Sequence, residues 1–246
     1  MIHKHFEPNT IGTDYIVGDI HGCYATFMAA FDKLNFNPET DRMFSVGDLV
    51  DRGAHSPSCV DLLKLPYFHA VRGNHEQMTI DYMDCQDDYE RHRYQHNYIC
   101  NGGEWFLDMH HDLQKLIADK FRELPIVITV GDVAIVHADP VYTDFNRLLS
   151  DLNSNNETLV ERVTEAAMWS RDYVNFYGAD GIIIEGISKM FLGHTPQIKG
   201  PLVNGNMYFI DTGSVFGHAL TICKLDGTVA VSEPNIDGRY KSKNFR

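Results

Sequence analysis

Short apolar runs recur along the chain and stop abruptly at Gly, Asp, His or Asn. Tyr15-Ile-Val leads into Gly18-Asp-Ile-His-Gly, Met43-Phe-Ser-Val into Gly47-Asp, and His69-Ala-Val into Arg72-Gly-Asn-His. The pattern returns in Val133-Ala-Ile-Val-His, Met190-Phe-Leu-Gly-His and Met207-Tyr-Phe-Ile-Asp-Thr-Gly. Runs of this length, rich in Val, Ile and Phe and bounded by Gly, read as buried strands. Between the first three, amphipathic stretches over about 23–34 and 57–65 predict helices. Strand–helix–strand–helix–strand spacing predicts a parallel sheet with right-handed crossovers.

The middle of the chain reads as helical, over 76–83, 89–98 and 111–124, and a further helix fits 157–169. Strands over 126–130, 133–137, 207–210, 218–225 and 228–232 follow in close succession, and such short links suit antiparallel pairing. Gly131-Asp132 and Asp226-Gly227 are hairpin turn pairs. The expected fold is α/β (α+β): two packed mixed sheets around a βαβαβ metal-binding core, with flanking helices and a helical cap from the middle. Residues 1–246 read as a single domain.

Composition narrows the function. Lys plus Arg is 21 and Asp plus Glu is 34, a net charge of −13. That argues against nucleic acid as a partner, whose phosphates need a cationic face, and against docking on an anionic membrane. A small phosphate ester stays open, because a few cations can reverse the field inside one cleft. No apolar run of about 18 residues is present, and the first residues lack the apolar stretch of a signal peptide, so a cytoplasmic location is expected. The five cysteines, Cys23, Cys59, Cys85, Cys100 and Cys223, are odd in number and unpaired in spacing, which suits free thiols. Cys23 and Cys223 read as packed in helix and strand, and the Cys-x5-Arg that a cysteine phosphatase needs reads as absent.

In open α/β sheets, ligands bind beyond the carboxyl ends of the strands. Asp19, His21, Asp48, Asn74, His75, His137 and His194 all lie at such ends. Asp, Asn and His without Cys form a donor set for Mn, Fe, Zn, Co or Ni. A carboxylate such as Asp48 can bridge two ions, and six ligands suggest a pair about 3.5–4 Å apart. Singly, the three early blocks read as a turn, a helix-capping loop and a polar turn. Together, at intervals of 48 − 19 = 29 and 74 − 48 = 26 residues, they suit successive βα units delivering to one site. His92-x3-His96-x3-Cys100 has zinc-like spacing, but Arg91, Arg93 and Tyr94 crowd it and mark a solvated face. His3, His5, His110 and His111 read as surface residues.

Gly18-Asp-Ile-His-Gly, Gly47-Asp-Leu-Val-Asp-Arg-Gly and Arg72-Gly-Asn-His-Glu resemble the three signature blocks of the phosphoprotein phosphatases among calcineurin-like metallophosphoesterases. Val136-His-Ala-Asp, Trp169-Ser-Arg, Gly193-His-Thr-Pro and Asp211-Thr-Gly extend the match over about 14–225. Asn101-Gly-Gly-Glu-Trp-Phe is similar to the subgroup of the bacteriophage lambda phosphatase and its small bacterial relatives. The resemblance implies that Asp19, His21 and Asp48 hold one metal and Asp48, Asn74, His137 and His194 the other. It implies that His75 is the general acid, oriented by Asp51. Arg52, Arg171 and Asn74 would bind phosphate; Arg171 rests on the short match Trp169-Ser-Arg, with Arg162 nearby as the other arginine.

These roles agree with elementary chemistry. Two cations, expected to be Mn, offset a phosphate dianion and lower the pKa of a shared water that attacks in line. Arginine matches phosphate oxygens with a planar fork. A serine alkoxide leaves poorly, so a histidine beside the metals, kept protonated by a carboxylate, would supply a proton. The expected activity is hydrolysis of phosphoserine, phosphothreonine and also phosphotyrosine in phosphoproteins or phosphopeptides. One alternative is a diadenosine tetraphosphate hydrolase of the same superfamily, against which Asp51 and Glu76 weigh. Another is an inactive binding module, which would have lost a ligand or the acid.

Overall fold

A computed structural model of the chain describes residues 2–175 and 181–241. The apolar runs are strands, and they assort into two mixed sheets. One has the order β1 (His3–Phe6), β5 (Val127–Val130), β6 (Val133–Val136), β7 (Lys189–Leu192), β9 (Met207–Phe209), β8 (Leu202–Asn204). The other runs β11 (Val229–Pro234), β10 (Ala219–Lys224), β2 (Asp14–Val17), β3 (Arg42–Ser45), β4 (Phe68–Ala70). β2, β3 and β4 are parallel, as expected, with α1 (Tyr24–Asp32) and α2 (Ser56–Asp61) in the connections. β6, β7 and β9 form a second parallel trio.

The inner strands β2, β3, β5, β6 and β7 are largely buried because they are covered on both faces. Ile16 and Phe44 meet Ile128, Ile135 and Phe191 between the sheets. Their neighbours Tyr15, Val17 and Met43 point the other way, into a layer with Phe27 of α1. Val127, Val136, Met190 and Leu192 pack against α7 (Phe145–Leu152) and α8 (Glu157–Trp169). Phe44 is fully buried in the central layer. Phe44→Ala is expected to cost about 3–5 kcal/mol, read as a lower urea midpoint at unchanged m-value.

α3 (Asn74–Asp84), α4 (Asp88–Cys100), α6 (His111–Glu123) and α8 fall where the periodicity puts them, within a few residues. The hairpins close at Gly131 and Gly227, which take φ of 57° and 95°. Other expectations need correction. β7 and β9 pair in parallel, and the short link from β9 to β10 crosses from one sheet to the other rather than joining antiparallel neighbours. β1, β8, α5 (Glu104–Leu107), α7 and α9 (Asp172–Asn175) were not anticipated. β1 is an edge strand, His-Lys-His-Phe, with little of the apolar signal of a central one.

The segment after β11 also has a job. The Asp237 carboxylate accepts the amides of Ala25 and Thr26 at 3.1 and 2.8 Å, satisfying the free N–H groups that open α1. The five cysteines are free, with Cys100 exposed and the rest buried. Among the described residues, no helix is long and apolar enough to cross a membrane.

Candidate metal centre

Five strand ends, three from one sheet and two from the other, deliver the candidate ligands and His75 to one edge. Asp48 follows β3 and is the hub. Its Oδ2 lies 3.4 Å from His21 Nε2, beyond β2, and its Oδ1 3.4 Å from His137 Nε2, beyond β6. The two oxygens of one carboxylate therefore face two separate imidazoles. Asn74, at the start of α3, places its Oδ1 2.9 Å from both His137 Nε2 and His194 Nδ1. Asp19 uses Oδ2 to accept the His194 amide at 2.9 Å, while its Oδ1 is buried without a partner. That carboxylate is in place because residue 193 is glycine: a Cβ there would sit 2.1 Å from Asp19 Oδ1.

The imidazole tautomers follow from the surrounding carbonyls. His21 Nδ1–H donates to the Val50 carbonyl at 2.8 Å and His137 Nδ1–H to that of Val46 at 2.7 Å. Each Nε2 thus turns inward, and that of His21 carries a lone pair, which accepts from Arg52 Nη1 at 2.7 Å. Burial, reinforced by Arg52, lowers His21 to about 3; burial and His137 do the same to His194. Burial opposes charge on Asp48, but His137, His75 and His21 hold its carboxyl well below the usual range. Burial, then Asp211 and Asp48, push Asp19 well above it. Imidazole nitrogens and carboxylates crowded against one another are relieved by divalent cations, so this donor set fits them.

The backbone pays for this convergence. His21, Asp48, Asp51, Arg52 and His194 all take left-handed φ angles, between 45° and 71°. Non-glycine residues adopt this region only where the surroundings enforce it, and such residues cluster at functional sites.

His75 is fully buried, and its Nδ1 lies 2.7 Å from Asp51 Oδ2. Its Nε2 has no hydrogen-bond partner and lies 3.9 Å from Asp48 Oδ2. A cavity of about 250 Å³ opens over these groups, with Arg52, Arg171, Asn101, Trp169 and Phe216 in its wall. Arg171 lines it and Arg162 does not. A larger cavity, about 470 Å³, lies elsewhere between Lys4, Lys64 and Lys120 and contains none of the candidate residues.

Residues 15–218 match the family model described as calcineurin-like phosphoesterase. The chain belongs to the calcineurin-like phosphoesterases. It is similar to serine/threonine-protein phosphatase 1 of Salmonella typhimurium, 33% identical over 233 residues, which span 91% of this chain and 97% of that protein. It is also similar to the asymmetrical bis(5'-nucleosyl)-tetraphosphatase PrpE of Geobacillus thermodenitrificans, 29% identical over 245 residues, 89% of this chain and 93% of that one. Among solved structures, one titled as a candidate diadenosine tetraphosphatase superposes with a TM-score of 0.62 at 19% identity. It covers 96% of this chain and 99% of its own, a likeness of fold. Calcineurin-like phosphoesterases use divalent metal ions, and this one brings together two groups able to hold them: His21, Asp48 and His75, and Asp48, His137 and His194.

Within this phosphoesterase two sequence expectations need adjusting, and a third, the solvated face of α4, agrees with the structure. Burial draws His75 well below its ordinary 6.5, Asp48 pulls it back upward and Arg52 adds to the fall, so the charge expected from Asp51 is opposed. A Cys-x5-Arg spacing does occur, at Cys85 and Arg91. It is no phosphate loop: the Cys85 thiol donates to the Asp87 carbonyl, Arg91 is spent on the Cys85 carbonyl at 2.6 Å, and Asp87, Asp88 and Glu90 lie between. His92 and His96 are exposed on α4, and they join no converging ligand group among the described residues.

Three residues were missed as contributors. Glu76, fully buried, accepts the amides of Asp48, Leu49 and Gly73 at 3.0, 2.8 and 2.9 Å and so braces the Asp48 loop. Its place two residues after Asn74 was the available signal. Asp211 borders Asp19 and is pushed up to about 6, first by burial. Trp105 donates from Nε1 to Asp51 Oδ1 at 2.6 Å.

Proposed function

We propose that the chain is a metal-dependent phosphoprotein phosphatase acting on phosphoserine and phosphothreonine, with phosphotyrosine also accepted. The Asp51–His75 pair carries this reading. A tetraphosphate breaks at an anhydride whose leaving group is already a stable anion. A serine ester releases an alkoxide and needs a proton donor at the leaving oxygen. His75, tethered at Nδ1 and unpartnered at Nε2, is built for that need.

Asp19, His21 and Asp48 would hold one ion, and Asp48, Asn74, His137 and His194 a second, with Mn suited to oxygen and imidazole donors. When bound, the ions supply positive charge against the phosphate dianion and lower the pKa of the attacking water. Arg52 and Arg171 grip phosphate oxygens from the cavity wall, and Asn74 adds its amide. As the new P–O bond to water forms and the ester P–O bond breaks, the water gives up a proton to solvent, and His75, made imidazolium beside the bound phosphate dianion, passes its Nε2 proton to the departing oxygen. The products are the free hydroxyl side chain and inorganic phosphate.

The test is metal-reconstituted protein assayed on phosphoserine peptides and on diadenosine tetraphosphate side by side. A higher kcat/KM on the peptides is expected. Preference for the dinucleotide would transfer the assignment to the tetraphosphatase reading, which the 29% identity to PrpE favours.

Arg52→Ala is expected to raise KM and lower kcat together, since the guanidinium meets phosphate in both ground and transition states. A hydrogen bond to a charged group is worth about 1.5–3 kcal/mol, so kcat/KM should fall roughly 10- to 100-fold. p-Nitrophenyl phosphate should suffer as much as a peptide, and an unaffected small ester would remove Arg52 from the site.

A further inference from the structure

The loop between α4 and α5 lies directly on the Asp51–Arg52 pair. The Gly102 carbonyl accepts the Arg52 amide at 3.1 Å. Gly102 itself takes φ of 88°, and a Cβ on it would come within 2.5 Å of Arg52 N, so nothing larger fits at this approach. Three residues further on, the Trp105 indole N–H donates to Asp51 Oδ1 at 2.6 Å. Asp51 and Arg52 are consecutive left-handed residues, φ 71° and 69°, a conformation that persists only where neighbours over-determine it. The helical middle of the chain therefore touches the Asp51–Arg52 pair from Gly102 in this loop and from Trp105 in α5.

The Asp51 carboxylate is shared between two donors. Oδ2 meets His75 Nδ1 and Oδ1 meets Trp105 Nε1. A carboxylate held at one oxygen can still swing about its own axis; held at both, it has one orientation. Indole N–H is a donor only, so its partner must stay an acceptor. With Oδ2 ionised as well, His75 Nδ1–H points at Asp51, and Nε2 is left facing the cavity.

We propose that Trp105 is a positioning residue for phosphate-ester hydrolysis: its indole N–H fixes Asp51, and through Asp51 sets the ring of His75 so that Nε2 meets the leaving oxygen. This rests on the reading of His75 as the proton donor. Trp105 also packs among Phe106 and the apolar side chains around it, so a structural role must be separated from a positioning one.

Trp105→Phe keeps an aromatic ring and removes the N–H. On the metal-loaded enzyme it should lower kcat for a phosphoserine peptide about 10-fold, the lower end for one hydrogen bond to a charged group. The loss on p-nitrophenyl phosphate, whose leaving group barely needs a proton, should be much smaller. Placed in a His75→Asn background, Trp105→Phe should cost the peptide reaction nothing further, because it acts through the side chain already removed. Equal losses on both substrates, or the same loss in both backgrounds, would make Trp105 structural and overturn the inference. A Trp105→Phe protein with native kcat on the peptide would overturn it as well. If His75→Asn alone hits both substrates equally, the reading of His75 falls and the inference falls with it; if His75→Asn discriminates and Trp105→Phe does not, only the inference falls.

Discussion

Asp48→Asn is expected to reduce kcat on any phosphate ester by on the order of 10³-fold or more, with both metal ions lost or loosened. The magnitude follows from position. Lewis-acid stabilisation of a phosphoryl transition state amounts to several kcal/mol, and each 1.36 kcal/mol is tenfold in rate. Among the described residues Asp48 is the one side chain shared by both ligand groups, its two oxygens 3.4 Å from His21 and His137. An amide in its place keeps the shape and loses the charge that lets one group serve two cations. Asp19→Asn, at the margin of one group, should cost less. Elemental analysis and activity against added Mn check the pair together. Full turnover after exhaustive chelation, with no metal detected, would remove the metal centre from the mechanism.

His75→Asn carries the second large effect, and its pattern matters more than its size. Loss of a general acid typically costs 10²–10⁴-fold. That range is expected for phosphoserine peptides, with a far smaller loss on p-nitrophenyl phosphate and unchanged metal content. Asp51→Asn should follow the same pattern more weakly, because Asp51 orients the ring and does not donate. The pH behaviour follows from burial. A donor must be protonated, so activity on alkyl esters falls as pH rises through its pKa. In the free protein burial draws His75 below 6.5, so the alkaline limb of kcat/KM should lie on the acid side of the ordinary value. A phosphate dianion beside Nε2 favours the imidazolium, so the corresponding limb of kcat should lie at higher pH. Both limbs vanish in His75→Asn. Equal losses on the two esters, or loss of an ion, would make His75 a ligand, which its place near His21 and Asp48 also permits.

Much of the site was legible because its chemistry is local to strand ends. Asp19, His21, Asp48, Asn74, His75, His137 and His194 each follow a short apolar run, and a buried parallel strand can only release a polar residue where it ends. What was not legible depends on how distant elements dock. Trp105 meets Asp51 across 54 positions, and no periodicity near either residue announces it. Glu76 reads as an ordinary first-turn helix acid until its carboxylate is found capping the amides of another loop. The polar edge strand β1 has too little buried face to show an alternation, and the crossing from β9 to β10 depends on which sheet has room, not on the length of the link. The pull of burial on His75 was not legible, because a neighbouring carboxylate is visible in a sequence and the depth of burial is not.

The left-handed backbone at His21, Asp48, Asp51, Arg52 and His194 sets stability and catalysis at odds. Each such conformation costs a non-glycine residue about 1–2 kcal/mol, a penalty that glycine escapes. Random mutagenesis screened only for heat tolerance should therefore enrich glycine, and to a lesser degree asparagine, at these five positions. The survivors would be tougher proteins with a dead site. A stabilisation programme for this chain has to hold the five positions fixed, or select for turnover in every round.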